Sequence, residues 1–237
     1  MKLDILANNE FFIAINKPSG LLSIPDRIQS EVSLKDMLKE QFGSIYTVHR
    51  LDKETSGIIV FAKDEDSHKQ LSALFEGREV QKFYFGLVNG ILFNTAGSID
   101  APIMEHPAKN GSMIVHASGK PSLTDYEVVE SFGLYSLVKF QIHTGRTHQI
   151  RVHTKHIGNN IVCDKVYGDG KPVFISSIKK KYNLSKKEDE EKPILNRLAL
   201  HAAELTFTLN DTTYHLEAPL PKDLQALLQQ LRKWKKG

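Results

Sequence analysis

The chain has 237 residues, 41% hydrophobic and 25% charged, and its 31 Lys and Arg against 28 Asp and Glu leave a net charge of +3. This is an ordinary soluble globular composition, long enough for a sizeable core without staples. The single cysteine, Cys163, excludes an internal disulfide framework and fits a reducing compartment, while the slight basic excess allows an anionic partner without requiring one.

The N-terminal stretch from Met1 to Asn9 has an early acid and no long apolar core, so it does not read as a secretory signal. The segment from Phe11 to Pro18 reads as a buried strand that Pro18-Ser19-Gly20 breaks. Ser33 to Phe42 predicts a helix with Leu34, Met37, Leu38 and Phe42 on one face and a Ser33/Asp36 capping box. Ile58 to Ala62, the most continuous apolar run, reads as a core strand and is too short to span a membrane. A second helix starts near Asp66, buries Leu71, Leu74 and Phe75, and stops at Gly77.

Strands then dominate: Phe83 to Val88, Leu123 to Glu130 and Tyr135 to Ile142. Thr147 to Ile157 predicts a helix ended by Gly158. Leu205, Phe207 and Leu209 alternate along another strand, which Asn210-Asp211 turns into Thr213 to Glu217. Asp223 to Trp234 is an amphipathic helix with Leu224, Leu227, Leu228 and Leu231 inward. Strands come in runs rather than in alternation with helices. The expectation is an α+β fold: one domain over residues 1–237, with a mixed, largely antiparallel central sheet flanked by helices. An insertion at about 176–193 carries Lys179-Lys180-Lys181, Lys186-Lys187 and an acidic run, and with little to bury it reads as exposed and mobile.

Three segments are chemically dense. In the first, Asp52 is flanked by His49, Arg50 and Lys53, charges that favour an ionised carboxylate able to act as nucleophile or base; a loop acid in surface salt bridges is the other reading. In the second, Tyr84 is either a strand residue against the core or a flat ring for a nucleobase. In the third, Gly145 and Arg146 precede a helix start that suits a phosphate, and His148 and Arg151 share a face; a basic surface helix is the alternative. Four histidines at 143, 148, 153 and 156 raise a metal reading, but no His-Glu-x-x-His pattern or second cysteine supports it.

Together these segments resemble the RluA-type pseudouridine synthase family. His49-Arg50-Leu51-Asp52 with Thr55-Ser56-Gly57 is similar to its catalytic motif, Lys82-Phe83-Tyr84 with Val88-Asn89-Gly90 to its tyrosine motif, and Gly145-Arg146-Thr147-His148-Gln149-Ile150-Arg151 to its basic motif. Asn16-Lys17-Pro18-Ser19-Gly20, Gly119-Lys120-Pro121, Asp164-Lys165-Val166-Tyr167-Gly168 and Leu200-His201-Ala202-Ala203 add to the match, which runs from about residue 10 to 221.

The resemblance implies the pseudouridine synthase fold and an isomerase that needs no cofactor and no metal. It makes Asp52 the essential carboxylate, Arg151 its ion-pair partner and Tyr84 the ring under the target base. Arg50, His49, Arg146, His148 and Leu200 would bind substrate. The implied partner is a structured ribosomal or transfer RNA stem-loop, met by a monomer in the cytoplasm and away from membranes. The family's carboxylate has been proposed to attack C1′, to add at C6 or to take a C2′ proton, and the residues do not choose among these.

Two departures stand out. A first strand near Phe11 leaves no room for the S4-type domain many relatives carry, so RNA would be gripped by the catalytic part, with Arg27, Lys53, Arg78, Lys82 and the insertion's lysines as candidates or as merely solvated charges. Cys163-Asp164 stands where Gly-Asp is commoner. The rival readings are a catalytically silent RNA-binding module of the same fold and a histidine-dependent metal hydrolase.

Overall fold

A computed structural model describes residues 2–26, 28–109, 111–179, 182 and 190–234. Arg27 and half of the charged insertion lie outside the described residues. The first elements are β1 (Ile5–Asn8), β2 (Phe12–Lys17), α1 (Leu34–Phe42), β3 (Tyr46–Thr47), β4 (Ser56–Ala62), α2 (Glu65–Glu76) and β5 (Gln81–Asn89). They continue with β6 (Ala96–Asp100), β7 (Ile103–Glu105), β8 (Met113–Val115), β9 (Leu123–Ser131), β10 (Tyr135–Ile142) and α3 (Gln149–His156). The last are α4 (Ile175–Ile178), β11 (Leu200–Leu209), β12 (Thr212–Glu217) and α5 (Lys222–Trp234). These residues gather into two compact units, one of Met1–Tyr84, Gln141–Thr147 and Leu200–Pro219, the other of Phe85–Phe140, His148–Ala199 and Leu220–Gly237.

The first unit is built on β4, whose seven residues are all buried and read as one apolar run. β2 pairs antiparallel with β1 and with β4, and β3 pairs antiparallel with the far end of β4. β11 lies parallel to the start of β4 and antiparallel to β12. The pairing is thus mixed and largely antiparallel, as the sequence predicts. Phe12, Ile58, Val60, Leu71, Leu205 and Phe207 form the core under α2. Ser33 and Asp36 close the expected capping box of α1, and Asp64 caps α2. Asn210 and Asp211 both take positive φ, at 49° and 58°, the conformation a two-residue hairpin needs.

Gly57 is required by a close approach. Its φ is +113°, and a Cβ there would lie 2.0 Å from the Ala202 carbonyl oxygen, backbone that cannot move aside. This contact is where β11 docks on β4, one step beyond the loop that carries Asp52.

In the second unit β6 pairs antiparallel with β9, and β7 with β8. Gly119 lets its backbone run against Ile103, where a Cβ would come within 2.6 Å of the Ile103 carbonyl carbon. That approach accounts for the Gly119-Lys120-Pro121 run, since Lys120 and Ile103 exchange backbone hydrogen bonds at 2.8 and 3.0 Å. α5 buries Leu224, Leu227, Leu228 and Leu231 as its period requires.

Two expectations change. The first strand is β1, not the segment from Phe11, because Ile5 and Ala7 find partners in Ile15 and Ala14. α3 starts at Gln149 rather than Thr147: His148 sits in the left-handed region at φ 55°, ahead of the first turn, and so does not share a helix face with Arg151.

Candidate active site

Asp52 sits in a tight turn closed by its own carbonyl, which accepts the Thr55 N–H at 3.1 Å. The turn is clasped from outside by the segment after β2. Ser23 Oγ donates to the Leu51 carbonyl at 2.7 Å and accepts the Leu51 N–H at 3.1 Å. Ser19 Oγ donates to the Glu54 carbonyl at 2.6 Å, and the Gly20 N–H to the Lys53 carbonyl at 2.9 Å. These hydrogen bonds fix the backbone and order the loop.

Lys17 forms the base of the clasp. It is fully buried, and its Nζ donates to the carbonyls of Pro18, Leu21 and Lys53 at 3.0, 2.8 and 3.0 Å. Three oxygens match the three N–H groups of an ammonium; a neutral amine would leave one bare. Burial lowers its pKa to about 7, against the charges of Asp52 and Glu54, which raise it. The sequence reading put Lys53 beside Asp52, but the Lys53 ammonium pairs with Glu31 at 2.7 Å. The Asp52 charge acts on Lys17, which pattern alone did not single out.

His49 has a structural duty as well. Its Nε2 accepts the Val60 N–H at 3.0 Å, filling the stretch of β4 between its pairings with β11 and β3, and its ring stacks on Phe75 at 4.4 Å. Burial, with a smaller contribution from Lys82, lowers its pKa to about 3, so the ring is neutral and carries its proton on Nδ1.

A groove of about 460 Å³ opens in this unit. Its walls are Val48, His49 and Arg50 of the loop, Phe75, Glu76 and Arg78 at the end of α2, Lys82 and Tyr84 of β5, and residues 142–146. Four cationic side chains, Arg50, Arg78, Lys82 and Arg146, face one acid, Glu76. Tyr84 is 9% exposed: it packs in the interior and also borders the groove. Burial first, then the charge of Asp52, pushes its phenol well above the usual range. Tyr84 therefore keeps its proton; it can donate a hydrogen bond but is no ground-state base. Leu200 is buried at the head of β11, where its carbonyl accepts the Ser56 hydroxyl at 3.4 Å. Neither Asp52 nor Leu200 is among the described residues that line this groove.

The second unit holds Arg151 and His148. Arg151 is buried and forks onto Asp164, Nε to Oδ2 at 2.8 Å and Nη2 to Oδ1 at 2.9 Å. Asp164 Oδ1 also accepts the Val166 and Tyr167 N–H groups at 2.9 and 3.0 Å. Burial raises the Asp164 pKa, but the Arg151 hydrogen bond and charge and the two backbone donors outweigh it and bring the carboxyl below its ordinary value. The Tyr167 ring lies 5.0 Å from the Arg151 guanidinium carbon, and its hydroxyl meets the Met113 N–H and His148 Nδ1, each at 2.8 Å. The Asp164-Lys165-Val166-Tyr167-Gly168 run is thus the seat of Arg151. Cys163, where glycine is commoner, takes φ 59°, the left-handed conformation that favours glycine. Of the remaining histidines in the metal reading, His143 lines the groove and His153 bonds Thr124 Oγ1 and the Ala101 carbonyl, both at 2.9 Å.

Comparisons with known proteins follow the same lines. A family model described as RNA pseudouridylate synthase matches residues 11–156. The ribosomal large subunit pseudouridine synthase D of Escherichia coli strain K12 is 33% identical over 246 residues, covering 97% of this chain and 71% of that protein. Its counterpart in Pseudomonas aeruginosa is 35% identical over 243 residues, covering 98% and 72%. Among solved structures, human RNA pseudouridylate synthase domain containing 4 superposes with a TM-score of 0.74 at 27% identity, over 97% of this chain and 93% of that one. Human RNA pseudouridylate synthase domain containing 1 gives 0.71 at 25%, over 98% and 95%.

Proposed function

Because this chain belongs to the RNA pseudouridylate synthase family and is an RluA-type isomerase, we propose that it converts uridines of large-subunit ribosomal RNA to pseudouridine around the carboxylate of Asp52. The observation that carries the reading is the clasped loop: Lys17, Ser19, Gly20 and Ser23 hold the backbone around Asp52, and the Asp52 charge acts on the Tyr84 phenol, which borders a cationic groove. Ribosomal RNA is preferred to transfer RNA because the relatives at 33% and 35% identity carry that substrate in their names. The cytoplasm, where such RNA is made and modified, is the proposed place of action, and a monomer the proposed form.

Uridine loses its N1–C1′ bond, turns, and rejoins the sugar through C5; the C5 hydrogen leaves as a proton and N1 gains one. The atoms balance without water or redox change. The chemistry asks for a fixed carboxylate, a seat for the freed base and a proton acceptor. Taking the base from its stack costs a few kcal/mol, and stacking on the Tyr84 ring, worth about 1–3 kcal/mol, offsets part of it. The raised phenol suits Tyr84 to seat the base and to donate a hydrogen bond. Arg50 and Arg146 meet the RNA backbone along the groove. Arg151, His148 and Leu200 join the site on their motif matches.

RNA carrying tritium at uridine C5 tests this. Unmodified large-subunit RNA incubated with the chain releases label to water, and Asp52→Asn lowers the rate by roughly a thousandfold, the middle of the range for loss of an acid–base group. Label release by Asp52→Asn at the wild-type rate removes Asp52 from the chemistry; no release by the wild type from any ribosomal transcript discards the substrate.

A further inference from the structure

Lys82 stands out among the groove's cations. It is 7% exposed, yet it lines an open groove. Its ammonium lies 5.6 Å from the centre of the Phe75 ring, a contact that steadies a cation but supplies no oxygen. Among the described residues it has no hydrogen-bond acceptor and no acidic partner. Burial lowers its pKa, and the charge that adds to this is a like one, Arg78. A lysine taken out of water in this way is normally matched by an anion. Here the match is missing, and Arg50, Arg78 and Arg146 line the same groove.

The spacing along β5 says where an anion would lie. Lys82 and Tyr84 are two apart on one strand, so they face the same side about 6.6 Å apart. That is about the rise of one nucleotide along an extended strand. We propose that Lys82 and Arg78 form an anion subsite in this groove, and that its occupant is a backbone phosphate of the RNA at or next to the nucleotide whose base rests on Tyr84. The proposal deepens the reading of the chain as an RNA-modifying isomerase and rests on it for the identity of the phosphate. The anion subsite itself does not depend on turnover. The phosphate supplies the oxygen that Lys82 lacks and holds the strand in register with the base seat.

The test has two arms. Inorganic phosphate is titrated into the wild-type chain while the lysine side-chain Cε signals are followed by NMR. The Lys82 signal, assigned by its loss in Lys82→Met, shifts and saturates, and sulfate competes while chloride at the same ionic strength does not. Binding of the RNA used for tritium release is then measured against salt. Lys82→Met weakens it roughly tenfold, the loss of one charge-assisted hydrogen bond, and flattens the slope of log K against log salt by about 0.7, one single-strand phosphate. Lys82→Arg keeps both within about twofold, which separates loss of charge from damage to the fold. An unmoved Lys82 signal in phosphate, or an unchanged salt slope in a folded Lys82→Met, overturns the subsite. Tritium release with no phosphate response discards the subsite and keeps the isomerase. A phosphate response with no tritium release does the reverse.

Discussion

The Arg151–Asp164 pair invites a double-mutant cycle, because the arginine that the basic motif assigns to turnover is also part of a buried structural pair. Asp164 has no exposed side-chain surface and Arg151 only 6%. Their two hydrogen bonds, at 2.8 and 2.9 Å, are supplemented by the Val166 and Tyr167 backbone donors. Arg151→Met leaves the Asp164 carboxylate buried beside two N–H groups but without its counter-charge. Breaking such a pair from one side costs about 3–5 kcal/mol. Asp164→Asn fails differently. Its remaining oxygen can keep Val166, Tyr167 and Arg151 Nη2, but then its NH₂ faces Arg151 Nε, donor against donor. In a chain of this size 3 kcal/mol corresponds to about 6–12 °C in Tm.

The cycle compares wild type, Arg151→Met, Asp164→Asn and the double variant. Urea unfolding followed by far-UV circular dichroism gives the global values, and amide exchange along α3 gives the local ones. Each single change is expected to lose about 3 kcal/mol or more, and the double less than the sum by about 1–3 kcal/mol, the range of coupling for residues in direct contact. Additive losses, or a single variant within about 1 kcal/mol of wild type, would refute the claim that the pair holds α3 in place. Turnover read on the same four proteins separates the two duties of Arg151. A double variant that regains stability but not tritium release shows that the guanidinium serves the reaction itself. Because Arg151 forks onto Asp164, Arg151→Met is expected to lose stability as well as turnover.

Two further outcomes follow. Gly57→Ala places a Cβ 2.0 Å from the Ala202 oxygen at a φ of +113°, so overpacking adds about 1–3 kcal/mol to the backbone strain; Gly43→Ala, at φ +80° and ψ −123° with nothing within 4 Å, carries the backbone strain alone, about 1–3 kcal/mol, and equal losses in the two by urea unfolding would show that the β4–β11 approach is not tight. Acid should weaken the first unit through His49. With a folded pKa of about 3 against 6.5 unfolded, the unfolded chain binds the extra proton between these values, so stability is full above about 6.5 and falls with falling pH. At pH 5 the loss is ~2 kcal/mol, 1.5 pH units at 1.36 kcal/mol each. His49→Gln should flatten the stability–pH curve by that amount, and a wild-type imidazole NMR signal that protonates near pH 6 would contradict it.

Local signals in the sequence located most elements because local physics decides them. The Ser33/Asp36 box, the apolar run of β4, the Asn210-Asp211 turn and the leucine stripe of α5 each depend on residues within one turn or one strand. Misses came where a distant partner decides. β1 has only four residues and exists through β2. His148 looks like part of the first turn of a helix from its neighbours, but it bonds Tyr167, nineteen residues on, and lies ahead of the helix. Lys53 is adjacent to Asp52 in the chain, yet its charge is taken by Glu31. Lys82 weighs equally as a solvated surface charge by composition; only burial against Phe75 distinguishes it.

What sequence reading treated as separate motifs are, within each unit, two halves of one device. In Asn16-Lys17-Pro18-Ser19-Gly20 the Ser19 hydroxyl, the Gly20 N–H and one of the three Lys17 ammonium bonds end on carbonyls of the Asp52 loop. Asp164-Lys165-Val166-Tyr167-Gly168 is likewise the cradle of Arg151, with a carboxylate on its edge and a ring against its face. The residue proposed to carry chemistry in each pair lies on a loop or a short helix that propensity alone does not hold still. The second segment supplies the rigidity. On that division, residues such as Lys17, Ser23 and Asp164 are expected to bear on turnover if Asp52 and Arg151 act as proposed: displacement of a reacting group by about 1 Å costs roughly a hundredfold in rate, and these side chains hold the two in place.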